Sequence, residues 1–271
     1  MNAEIVSTGA VQAVSEAAER NEAVQGFIMH HVANSRDWTL FPYVHFRLPE
    51  FLTVHAVMVV FAALLLITVL GLACRRMGAV PHGLLNVLEA FVKYIRDEIA
   101  IPFLGEHDGP RMTPLFCTFF FFILIMNLIG LVPCFQAATA NVNVTGSLAV
   151  ITFAFMVFGA MFRHGPIGFI KGFAPPGVPL VLLLILVLIE IIGLFIKALA
   201  LMIRLFANML SGHIVIFSLV GLIVMFGYVA LPALVMAVGI YILEVFVSFL
   251  QAYIFTLLSA AFIGQRYHPE H

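Results

Sequence analysis

With 271 residues, 63% of them hydrophobic and 10% charged, and a mean hydropathy of +1.11, the chain carries more apolar surface than one soluble core of its length can hide. Its net charge of -1, with no basic block or interleaved basic and aromatic patch, excludes nucleic acid as a partner. Strong period-two alternation is missing, which argues against a membrane barrel and leaves an all-α, multi-spanning membrane protein.

Residues 1–50 are polar and mildly acidic, with Glu4, Glu16, Glu19 and Glu22, and read as an N-terminal extramembrane arm. They lack the basic start, apolar stretch and small-residue cleavage site of a secretory signal, so the first membrane helix is expected to act as the insertion signal. The membrane domain is expected over 51–271, its first span over 51–74. The "RRMG" that follows marks the cytoplasmic side and puts the N-terminus outside.

Next, "LLNVLEAFVKYIRDEIA" sets Leu84, Leu85, Leu88, Phe91, Val92, Ile95 and Ile99 opposite Glu89, Lys93, Arg96 and Asp97. That spacing predicts an amphipathic helix over about 82–104, lying on the cytoplasmic face. Spans are then expected over 112–133, 144–163, 178–226 and 233–264. Of the 13 basic residues, this topology puts eight inside (75, 76, 93, 96, 111, 163, 171, 266), three outside (20, 36, 47) and two in the membrane (197, 204), as the positive-inside rule requires. Cys74, Cys117 and Cys134 stand singly, without CxxC spacing, and read as small apolar packing residues.

The run Val178 to Phe226 is 49 residues long, roughly 73 Å as a helix against a hydrocarbon thickness of ~30 Å. It must tilt steeply, bend, or form two spans with a turn around "IKALALMIRLF". Strong helix formers there, without Gly or Pro, favour one long tilted helix that pairs with the last as an antiparallel hairpin.

These two runs hold Glu190, Lys197, Arg204, His213 and Glu244, with Asn208, Ser248 and Gln251 as uncharged companions. Each charge costs from ~2.5 kcal/mol upward at membrane depth. Glu190, Lys197 and Arg204 recur every seven residues and so share a face, with Asn208 nearly on the same stripe; Glu244, Ser248 and Gln251 form a matching stripe. Folded about the uncharged loop at Tyr228, His213 and Glu244 fall at one depth, Arg204 close to Gln251, and Glu190 toward the cytoplasmic end. His and Glu exchange protons at accessible pH, whereas a guanidinium keeps its own, so the order suggests a proton path interrupted by a fixed cation. Structural readings stand beside this one: Lys197 snorkelling or pairing with Glu190, His213 as a hydrogen-bonding group between helices, Arg204 in a salt bridge to Glu190 or Glu244, and a structural His55 on the first span.

The stretch "IRLFANMLSGH" resembles the arginine helix of subunit a of the F-type ATP synthase. "NLIGLVP" at Asn127 to Pro133, "TANVNVTG" at Thr139 to Gly146 and "FLQAYIFTLLS" at Phe249 to Ser259 support the resemblance, which covers most of the chain from the first membrane helix onward. It implies a stator beside a rotating ring of c subunits, with two proton half-channels that couple proton flow to rotation and ATP synthesis. Arg204 would be the essential cation between the half-channels, His213, Glu244, Asn208 and Gln251 would belong to the outer one, and Glu190 to the cytoplasmic one. Ser248 and Lys197 are further candidates. Many bacterial members carry an acidic residue where this chain has His213 and a histidine where it has Glu244; the exchange leaves open which group hands the proton to the ring.

The resemblance implies no covalent catalysis and no cofactor or metal in this chain. It implies as partners the c-subunit ring, peripheral-stalk b subunits and other synthase subunits. The lack of a targeting signal fits a bacterial inner membrane and leaves an organelle-encoded protein open, and the basic-residue bias puts the C-terminus on the cytoplasmic side. The rival reading is a self-contained secondary ion-coupled transporter, against which there is no inverted repeat and no matched pair of interrupted helices. An intramembrane metalloprotease is disfavoured by dispersed histidines and the lack of HExxH.

Overall fold

The computed structural model describes residues 19, 22, 26, 37–41, 44–47, 53–75, 83–132, 135–173 and 179–267. Most of the N-terminal arm, with Arg20 and Arg36, and the topology-setting Arg76 lie outside the described residues, as do 174–178 and 268–271.

In the arm, β1 (Asp37–Phe41) pairs antiparallel with β2 (Val44–Arg47), Trp38 opposite Phe46 and Thr39 opposite His45. β-branched and aromatic residues favour the pairing, but strands this short show no period in the sequence. All other described elements are helical. They are α1 (Val54–Arg75), α2 (Leu84–Tyr94), α3 (Ile101–Leu131), α4 (Val142–Ala154), α5 (Ala160–Lys171), α6 (Leu180–Phe226) and α7 (Leu231–Tyr267). Wider π turns join α2 to α3 at Ile95–Ala100 and α4 to α5 at Phe155–Gly159. Five helical stretches are long and apolar enough to cross a membrane: Val54–Ala73, Leu85–Leu131, Val142–Phe169, Leu182–Ile223 and Leu231–Tyr267.

The second stretch is not straight. Gly105 adopts φ 79°, ψ 171°, a conformation that only glycine takes without strain. The chain folds back there, because Gly109 lies against the backbone of Ala100 and Ile101, which a straight helix would hold about 12 Å away. Before the bend the amphipathic segment buries Ile95, Ile99 and Leu104 and half-buries Leu88 and Phe91, while Lys93, Arg96 and Asp97 stay exposed. Val92, at the edge of the apolar stripe, is exposed as well.

After the bend, α3 forms the centre of the bundle. It packs most extensively against α7, with α1 on another side. Phe116, Ile123 and Met126 are fully buried, and Phe119 meets Phe255 of α7 edge-on at 5.6 Å between ring centroids. α4 begins on Asn141, whose side chain accepts a hydrogen bond from the Asn143 backbone N–H at 2.9 Å, a normal N-cap.

α6 runs 47 residues without a break, from Pro179 at its start to Gly227, φ 59°, at its end. It packs on α4 along one side and on α7 along another. A helix of that length measures roughly 70 Å, more than twice the hydrocarbon thickness.

Candidate functional site

The α6–α7 pairing brings the intramembrane polar residues together in a ladder. Glu244 is buried, and its carboxylate lies directly against Gly212 of α6, where a Cβ would collide with both carboxylate oxygens. Only glycine at 212 lets the acid reach the α6 backbone beside His213. Further along, Asn208 donates to the Gln251 side-chain oxygen at 3.5 Å. Then Lys197 donates to Gln265 at 2.8 Å and sits 5.5 Å over the Phe262 ring, and Glu190 forms an ion pair with Arg266. The residue numbers of these four pairs average between 228 and 231, so the antiparallel register turns about the loop that the sequence marked at Tyr228.

At the Glu244 end, Ser248 turns its hydroxyl back onto the Glu244 carbonyl at 2.8 Å. The Ser248 carbonyl accepts from Asn127 of α3 at 3.5 Å, and Asn127 in turn accepts from Thr139 at 2.8 Å. The buried atoms His213 Nε2, Glu244 Oε2 and Gln251 Nε2 have no hydrogen-bond partner among the described residues. Buried polar atoms are costly without one, so these three are open to a partner from outside the protein. His213 also borders a cavity of about 260 Å³, shared with Leu131, Gln136, Phe217 and Tyr241, room for several waters at ~30 Å³ each.

At the other end, the Arg266 side chain is 7% exposed and that of Glu190 42%. The guanidinium lies 4.6 Å over the Phe173 ring, so the arginine is fixed from two sides and the carboxylate keeps one edge open. Arg204 lies between the two groups. Leu201 and Leu205 are buried in the bundle, and Arg204, a helical step off that stripe, is exposed. Among the described residues it makes no hydrogen bond or ion pair.

The salt bridges entertained for Arg204 and for Lys197 are therefore not formed, because Glu190 is held by Arg266 and Lys197 by Gln265. His55 is buried on α1, away from this ladder, with Nδ1 unpartnered among the described residues. Reading the sequence missed Gly212, Thr139, Gln265 and Arg266 as parts of the ladder. Arg266 was visible only as a basic residue near the last helix end, and nothing local singles out Gly212.

A family model described as "ATP synthase A chain" matches residues 56–264. The chain belongs to this family. Among curated relatives, ATP synthase subunit a of Anaeromyxobacter dehalogenans (strain 2CP-C) is 48% identical over 218 residues, 78% of this chain and 57% of the relative. ATP synthase subunit a 2 of Chlorobaculum tepidum is 39% identical over 275 residues, 96% of this chain and 78% of the relative. The subunit a of Chloroherpeton thalassium is 43% identical over 259 residues, 90% and 77% of the two chains. The chain thus spans a little over half the length of the first of these relatives. Family membership and five apolar helices make it a multi-pass membrane protein, and the matched region contains every rung of the ladder except the outermost contacts of Gln265 and Arg266.

Proposed function

We propose that this chain is the proton-conducting stator subunit of an F-type ATP synthase, with two half-channels beside a c-subunit ring and Arg204 between them. The observation that carries the reading is the exposure of Arg204 on an apolar helix face, with no acidic partner among the described residues of its own chain. A guanidinium at membrane depth is too costly to keep without a counter-charge, so the partner it is built to meet comes from another molecule. A ring carboxylate passing that face supplies it: neutral where it faces lipid, ionised where it faces Arg204, so rotation requires proton transfer.

On this reading His213, Glu244, Asn208 and Gln251 serve the outer half-channel, with the largely apolar cavity that His213 and Gln136 border as its mouth and Ser248 holding the α7 backbone in place. Glu190, gripped by Arg266 and open on one edge, serves the cytoplasmic half-channel, and Lys197 flanks it. The subunit performs no covalent chemistry and uses no cofactor; its partners are the ring, the peripheral-stalk b subunits and the rest of the synthase. The membrane is the bacterial inner membrane, with the N-terminus outside and the C-terminus cytoplasmic. The unbroken course of α6 and α7 favours this over a self-contained transporter, whose substrate site needs interrupted helices.

Arg204→Gln in reconstituted vesicles tests the proposal. Proton-driven ATP synthesis is expected to vanish with assembly intact, and a rise in passive proton leak would add that the arginine separates the half-channels. Coupled synthesis near the wild-type rate would sink the reading.

A further inference from the structure

Away from the ladder, two cavities run into one another beside α3 and α5. One, of about 610 Å³, is lined by His107, Asp108, Arg111, Arg163, His164 and Tyr267. The other, of about 380 Å³, is apolar and follows the π turn, with Phe155, Phe158 and Ala154 on its wall. Met112, Gly159, Phe162 and Tyr267 belong to both, so the charged and apolar cavities form one continuous cleft.

The backbone builds this cleft. Gly105 and Gly165, both at positive φ, break their helices within three residues of His107–Asp108 and of Arg163–His164. Gly159 leaves the space that the Tyr267 phenol fills. The buried Asp108 forms an ion pair with Arg163, and His107 Nδ1 stands 3.1 Å from its other carboxylate oxygen. Arg163 also lies 5.6 Å over the Tyr267 ring, and His164 Nε2 donates to the Tyr267 carbonyl at 2.9 Å. Arg111 is exposed and has no hydrogen-bond or ion-pair partner among the described residues. One carboxylate faces two guanidinium groups and two imidazoles, so the polar end is net positive. Phe162, 89% exposed, and Phe158, 55% exposed, continue it as a bare apolar wall.

A small soluble anion would use only the first cavity and a neutral lipid only the second. We infer that the cleft binds one anionic phospholipid, its phosphate on Arg111 and Arg163 and an acyl chain along Phe155, Phe158 and Phe162. Basic pockets between membrane helices select such headgroups, and the planar guanidinium forks match phosphate oxygens. A lipid seated there would tie α5, which makes few contacts of its own with the bundle, to α3 and α7. The inference is independent of the proton path.

The test uses the assembled complex in nanodiscs containing phosphatidylglycerol with a photoreactive acyl chain, with adducts mapped by peptide mass spectrometry. Labelling is expected within residues 154–162, to fall about fivefold in Arg111→Gln, the worth of one cation near a headgroup, and to survive in Arg111→Lys. Subunit content and ATP synthesis should be unchanged in both, since the side chain is exposed. Equal labelling by a phosphatidylcholine probe, unaltered labelling in Arg111→Gln, or no adduct in this segment would overturn the assignment. Displacement by millimolar inorganic phosphate would also overturn it, in favour of a free anion.

Discussion

The stretch that ends in α3 and the one in α6 are both apolar enough to span a membrane, yet over an 18-residue apolar window 56% of the first is buried inside the chain and only 6% of the second. α3 spends its large side chains on neighbours: Phe116, Phe119, Ile123 and Met126 share one buried cluster with residues of α7 and the amphipathic segment, Phe119 meets Phe255 of α7, and Phe120 and Phe121 meet Phe91. α6 turns Leu184, Leu188, Phe195 and Leu199 outward and keeps for the interior a narrow stripe with Leu194, Leu201, Leu205 and Met209. One helix holds the subunit together, whereas the other presents a surface. Hydropathy alone does not separate them, because lipid tails and a protein core are equally apolar.

The largest effect that tests this contrast is on stability. Phe116→Ala removes a fully buried ring and should cost about 3 kcal/mol or more, read as loss of folded chain in detergent. Leu199→Ala, half-exposed on α6, should stay within about 0.5 kcal/mol. Equal losses from both would erase the distinction between scaffold and surface.

A second pair sharpens the contrast within α6 itself. Gly212→Ala drives a methyl into the Glu244 carboxylate, whereas a Cβ at Gly193 meets nothing within 4 Å. Displacing the acid should cut proton-driven ATP synthesis on the order of tenfold, as small misplacements of working groups do, with near-normal assembly. Gly193→Ala should leave the rate within about twofold and stabilise the helix slightly. A wild-type rate in Gly212→Ala would show that the close seat of Glu244 has no role in function.

The smallest effect concerns the ion pair at the far end of the hairpin. A double-mutant cycle of Glu190→Gln and Arg266→Gln should give a coupling of about 1 kcal/mol, modest because the carboxylate is partly exposed. Coupling near zero would mean that Arg266 is held by Phe173 and packing alone.

Much of this was readable along the chain. The five apolar stretches, the amphipathic segment with Ile95 and Ile99 on its buried side, and the unbroken α6 all follow from hydropathy and helical period. The axis at Tyr228 also anticipated which levels of α6 and α7 would meet. The β1–β2 hairpin is not legible in the sequence because nine strand residues, in four cross-strand pairs, carry too little pattern. Thr139 lies between the spans expected over 112–133 and 144–163, and only the packing of that segment against α3 gives it Asn127 as a partner.

Residue type and spacing specify a helical membrane protein, the antiparallel register of its last two helices, and the polar groups that must be accommodated at membrane depth. Those features depend on residue type and spacing along one helix, where 1.5 Å per residue fixes position. Only the packing of the folded chain shows that Glu190 takes Arg266 rather than Lys197, that Glu244 rests on Gly212, and that Arg204 faces outward without a partner among the described residues. Each of these depends on how far a helix is rotated about its axis and where it crosses its neighbour. Packing between residues far apart in the chain sets both.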